Sequence, residues 1–162
     1  MQKNLLIVIV GALTLSASAF AQSAKDVVGT WDYVSADTVA ADGKRSPTFG
    51  PKPKGIVVFE ANGRYALIVT RSDQPKFASN NRLQGTPEEN KAIVQGSISH
   101  FGTYTVNEGD KTITFHIQTS TFPNWDGMDQ KRPFALSGDE LKYTVPAASG
   151  GGTAEVVLKR LK

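Results

Sequence analysis

The side chains with most chemistry to offer fall at strand-like spacing. Tyr65, Leu67, Val69 and Arg71 share one face of an alternating run, and Arg132 and Phe134 share another just after Trp125. Tyr104 and Tyr143 lie on inward candidates of two further runs, and Phe77 follows Arg71 in the next connection. If those faces point inward, they enclose an apolar chamber with two guanidinium groups and several phenols. Mostly apolar walls with a few convergent polar groups are the make-up of a small-molecule pocket. Arg71 or Arg132 would then grip a carboxylate through a forked pair of hydrogen bonds. The same aromatics would equally serve as core, because a small barrel is just wide enough for side chains to fill. Each arginine would equally pair with an acid of the protein itself.

Other chemistries find less support. With 0 Cys, a zinc site would need both His100 and His116 plus carboxylates, and the two histidines lie on different strands. Asp126, Asp129 and Asp139 do not follow the regular calcium-loop spacing. No metal or cofactor is therefore expected. There is no Gly-x-Ser-x-Gly, no cysteine nucleophile and no glycine-rich phosphate loop. Triads assemble in space, so an enzyme of isomerase or cyclase type, with Tyr or Arg as proton donor or anchor, stays open as the alternative to simple binding. A third alternative is a protein-interaction module presenting Phe122, Trp125 and Met128 on one loop.

Charge adds little. Eighteen Lys+Arg face 15 Asp+Glu, for a net charge of +3, and the basic residues are spread rather than striped. No nucleic-acid partner is expected from that balance. The densest cluster, Lys44, Arg45, Lys52 and Lys54, lies in a Pro/Gly-rich stretch and reads as a solvated loop.

The elements that must position these groups are short strands. About eight segments rich in Val, Ile, Thr, Tyr and Phe run from Trp31 to Arg160, among them Tyr65–Val69, His100–Val106, Thr112–Ser120, Arg132–Ser137 and Leu141–Val145. Trp31, Tyr33 and Ser35 form one face of the first. Asn62-Gly63 predicts a two-residue type I′ hairpin, with positive φ at both positions. Hairpin follows hairpin, so the expected fold is all-β: an antiparallel up-and-down barrel of about eight strands, closed because closure alone removes the two edges. Thr86-Pro87-Glu88-Glu89 opens one short inserted helix through a capping box. Its apolar side, Ala92 and Ile93, is expected to pack on the barrel. The segment from Arg71 to Ile98 would form a lid.

Ahead of the barrel, Lys3, the apolar run Leu5–Leu15 and Ala19-Phe20-Ala21 have the plan of a signal peptide cut before Gln22. That run is short for a membrane span. Residues 1–21 are thus expected to be a leader and 22–162 one domain, periplasmic or secreted, with no membrane span after cleavage.

The ordered motifs also carry a resemblance. Gly29-Thr30-Trp31, Phe49-Gly50-Pro51-Lys52-Pro53-Lys54-Gly55, Asn62-Gly63-Arg64-Tyr65, Thr86-Pro87-Glu88-Glu89, Phe101-Gly102-Thr103-Tyr104 and above all Phe122-Pro123-Asn124-Trp125-Asp126-Gly127-Met128-Asp129-Gln130-Lys131-Arg132 make the chain resemble the lipocalin-like domain family over about Val28 to Arg160. The resemblance implies a lipocalin-type barrel in which Arg160 lies over the Trp31 indole and closes one end. Many relatives carry a His where Phe115 stands here. A fold does not imply a reaction, and the expectation is a barrel that takes a small hydrophobic or amphipathic molecule inside.

Overall fold

A computed structural model of the protein describes residues 23–162, so the expected signal peptide lies outside the described residues. Nine strands form one sheet: β1 Gly29–Val39, β2 Arg45–Pro47, β3 Lys54–Phe59, β4 Arg64–Thr70, β5 Ser97–Asn107, β6 Thr112–Ser120, β7 Asp129–Ser137, β8 Glu140–Val145 and β9 Thr153–Arg160. Each pairs antiparallel with its neighbour in the order β2-β1-β3-β4-β5-β6-β7-β8-β9, and β1 pairs again with β9. Eight strands therefore close into a barrel, and β2 is added beside the outer half of β1, Asp37–Val39.

Alternation sends one face of each barrel strand inward, while β2 is exposed throughout. Tyr65, Leu67 and Val69 of β4 are buried while Arg64, Ala66 and Ile68 face out. Two bulges adjust the barrel wall. In β1 the register against β9 slips at Val34, so Ala36 rather than Ser35 takes the next inward position. The second bulge lies between β5 and β6, and Gly102 makes it possible: a Cβ there would fall 2.0 Å from the His116 carbonyl oxygen. The β3–β4 hairpin also departs from expectation. Only Gly63 has positive φ, and the loop has three residues, with Glu60 N–H donating to the Arg64 carbonyl at 2.8 Å. That is the loop in which one left-handed residue follows an ordinary turn.

One end of the barrel is sealed. Helix α1, Ala24–Val27, crosses it, and the Trp31 indole N–H donates to the Val27 carbonyl at 2.9 Å. The Arg160 guanidinium lies 4.1 Å from the indole centroid and donates to the Val28 and Asp26 carbonyls, as the resemblance implied. Above this plug Phe59, Tyr65, Tyr104 and Phe115 stack edge to face, with Phe59–Tyr104 centroids 4.9 Å apart and Tyr65–Phe115 4.7 Å.

The inserted helix α2, Pro87–Gln95, forms where its capping box lies. Glu89 N–H donates to Thr86 Oγ1 at 3.2 Å and Thr86 N–H donates to Glu89 Oε2 at 2.9 Å. It has no fully buried residue: Ala92 and Ile93, its apolar side, are half-buried and Val94 is 76% exposed, so that side is covered only in part. Among the described residues, no helix is long and apolar enough to cross a membrane.

Candidate functional site

The end opposite the plug is open and incompletely filled. Its chamber has about 60 Å³ of free space. Apolar walls come from Leu67, Val69, Ile98, Val145 and Val156, and the rim from Phe49 and the Ala148–Gly150 stretch of the β8–β9 turn. An engineered apolar core cavity that admits benzene is larger, about 150 Å³. As it stands, the chamber therefore holds a few waters or a head group, and a larger molecule must extend into the mouth.

The floor is polar, and four inward strand positions build it. Tyr33 of β1 and Tyr143 of β8 bring their hydroxyls within 3.2 Å of each other. Burial drives both phenols upward from their ordinary value near 10; for Tyr143 the Arg132 charge works in the opposite direction. His100 of β5 and Arg132 of β7 complete the set, 3% and 2% exposed. Arg132 Nη2 donates to Gln130 Oε1 at 2.7 Å and reaches His100 Nε2 at 3.5 Å. A guanidinium only donates, so Nε2 is the acceptor and the imidazole proton sits on Nδ1. Nδ1–H then donates to Tyr65 Oη, 2.8 Å away. Burial, and after it the Arg132 charge, pushes His100 down to about 3, so the ring is neutral in ordinary buffers.

Among the described residues no carboxylate forms an ion pair with Arg132. Its buried Nε–H finds no hydrogen-bond partner among the described residues. The guanidinium lies 4.2 Å from the Phe115 ring centroid and 5.2 Å from that of Tyr143. Ring faces stabilise a cation by about 0.5–2 kcal/mol, whereas taking an ion out of water costs several kcal/mol. Neutral groups thus offset only part of the cost of burying this charge.

Of the residues singled out in the sequence, Trp125, Arg132 and Tyr143 line the chamber. Trp125 comes from the 3-10 turn Pro123–Trp125 between β6 and β7, and its ring meets His100 edge-on at 5.7 Å. Tyr65 stands behind His100 as its partner. Tyr104 belongs to the sealed end, where its hydroxyl donates to the Glu60 carbonyl at 3.0 Å. Phe134 is buried one inward step beyond Arg132, outside the chamber.

Arg71 and Phe77 need correction. Arg71 follows the last residue of β4 and swings outward, where Nε and Nη2 each donate to Asp73 at 2.9 Å. Phe77 packs against the start of α2: a Cβ on Gly85 would fall 2.2 Å from its ring. Neither reaches the chamber. The interaction-loop alternative also fails at its central residue, since Trp125 is buried and Phe122 packs beside it at 5.7 Å. Of that trio Met128 is exposed and Phe122 is half-buried.

Sequence reasoning did not select Tyr33, His100 or Phe49 as site residues. Tyr33 and His100 carried a usable signal, because each shares strand parity with an inward aromatic, Trp31 and Tyr104 respectively. No group of three or more His, Cys, Asp or Glu residues able to hold a metal occurs among the described residues.

A family model described as a lipocalin-like domain matches residues 28–160. The chain belongs to the lipocalin-like domain family. The 4'-hydroxy-3'-methoxypropiophenone carrier protein of Aspergillus oryzae is 27% identical over 82 residues, which cover 47% of this chain and 74% of the relative. A lipocalin-like protein of Bacteroides uniformis superposes with a TM-score of 0.46 at 15% identity, over 84% of this chain and 99% of the other. An uncharacterized protein of Bacteroides eggerthii gives 0.42 at 10% identity, over 83% and 98%. The lipocalin-like barrel here thus has its family assigned by sequence, its closure by β1–β9 pairing and its floor by Tyr33, His100, Arg132 and Tyr143.

Proposed function

We propose that this lipocalin-like barrel is an exported binding protein that takes a small amphipathic molecule through its open end. The observation that carries this reading is the asymmetry of the interior. One end is filled by stacked aromatics, while the other keeps free space over a polar floor and beneath an apolar rim. The carrier named among its relatives supports the same class of role. The plan of residues 1–21 supports export.

Binding fits the floor better than isomerisation or cyclisation. A general acid or base works best with its pKa near the working pH. His100, held down to about 3, is a weak base, and phenols driven upward by burial are weak acids.

Native mass spectrometry of the full-length gene product, expressed in its own host and recovered from outside the cytoplasm, tests both parts. The expected polypeptide begins at Gln22 and carries a small-molecule adduct, and the adduct is absent from an Ala154→Phe variant whose ring fills the chamber. An adduct of equal occupancy in Ala154→Phe would place the ligand elsewhere. Protein found only in the cytoplasmic fraction, with residues 1–21 attached, would contradict export, and exported protein that carries no adduct would count against binding.

A further inference from the structure

We propose that the ligand is an organic monoanion and that Arg132 is its anchor: a compact acidic head of the carboxylate class docks on the guanidinium at the chamber floor, and an apolar body points to the mouth. This rests on the reading of the chamber as a binding site and adds the chemistry of what it selects.

Four observations converge. Arg132 is 2% exposed and lines the free space. Among the described residues its Nε–H has no partner, and its other contacts are all neutral: the Gln130 amide oxygen, the His100 imidazole nitrogen at 3.5 Å, the Tyr143 hydroxyl and two ring faces. A buried cation is normally matched by an acid of the protein, and among the described residues none forms an ion pair with it. The groups that share the floor, the Tyr33 and Tyr143 hydroxyls, are able to donate to an oxygen and bring no negative charge of their own.

The free space is about 60 Å³, the scale of a head group rather than a whole ligand. Leu67, Val69, Ile98 and Val145 then offer the body an apolar passage to Phe49 at the rim. A single guanidinium with two phenols suits one negative charge; a doubly charged phosphate would meet too few cations. A planar carboxylate matches the guanidinium edge by forked hydrogen bonds.

The test uses two acid–amide pairs that differ only in head-group charge: octanoate with octanamide, and cinnamate with cinnamamide. Each is titrated into the isotopically labelled mature protein, following the Trp125 indole N–H. The Trp31 indole, sealed at the other end, is the internal control. The expected result is that at least one acid shifts the Trp125 signal and binds tenfold or more tightly than its amide. Arg132→Met, which removes the charge but keeps the length, is expected to erase that preference and weaken the acid tenfold or more. The wild-type acid–amide comparison decides the matter even if the variant does not fold. Amides that bind as tightly as their acids would overturn the anion assignment and leave the chamber standing as a binding site. A Trp125 signal that none of the four compounds moves at millimolar concentration would overturn both.

Discussion

His100 makes the stability of this barrel depend on pH in a way that can be worked out. In the unfolded chain its imidazole has an ordinary value near 6.5, and in the folded barrel burial and the neighbouring Arg132 hold it at about 3. The unfolded state therefore binds the extra proton between those values. The stabilisation is complete above pH 6.5 and is lost as pH falls from 6.5 toward 3. At pH 5 the unfolded ring is about 97% protonated and the folded ring about 1%. Relative to pH 7.5, the barrel then loses about 2 kcal/mol from this residue alone. With a urea m-value of about 2 kcal/mol/M, the unfolding midpoint drops by about 1 M. His100→Gln preserves a polar partner for Tyr65 and cannot titrate. The expected outcome is that the wild-type midpoint falls by about 1 M more than that of the variant between pH 7.5 and 5. Midpoints that fall in parallel would refute the reasoning, because His100 would then accept a proton while the barrel stays folded.

Two further outcomes follow from the two ends of the barrel. Arg160→Ala removes the cation over Trp31 and the donors to the Val28 and Asp26 carbonyls, and is expected to cost about 2–3 kcal/mol in urea unfolding while leaving chamber binding unchanged. An unchanged midpoint would show the cap to be idle. All 4 tyrosines are held above their ordinary value by burial, so absorbance near 295 nm is expected to show no phenolate through pH 10 and then a single rise that coincides with loss of circular dichroism. A gradual rise centred at pH 10 with the fold intact would contradict the packed interior.

The barrel was legible in the sequence because period-two alternation dictates which side chains leave water. Tyr65, Leu67, Val69, Arg132 and Tyr143 all face inward as that pattern requires. Parity stops where a strand stops, which explains the misplaced residues. Arg71 has the right parity but lies beyond Thr70, the last residue of β4, where the backbone no longer directs it and Asp73 is within reach. Phe77 and Trp125 sit in connections, where spacing says nothing about direction, and they went opposite ways. Strand β2 has no alternation to read: Arg45, Ser46 and Pro47 are all exposed and pair only because β1 extends past the end of β3. The Val34 bulge inverted the outer part of β1 and brought in Ala36, a change that hydropathy alone does not encode.

The pairing of β1 with β9 also governs how the molecule comes into being. Trp31 lies opposite Arg160, so the first strand waits for the last before either can satisfy its edge. Such distant pairing is slow to form. Until it does, the facing edges of β1 and β9 remain open templates for other chains. With 0 Cys in the sequence, no disulfide traps a partly closed form. A ribosome-bound or truncated chain lacking Thr153–Arg160 is therefore a barrel with a slit down its side, and its hazard is sticking to its own kind rather than a modest loss of stability.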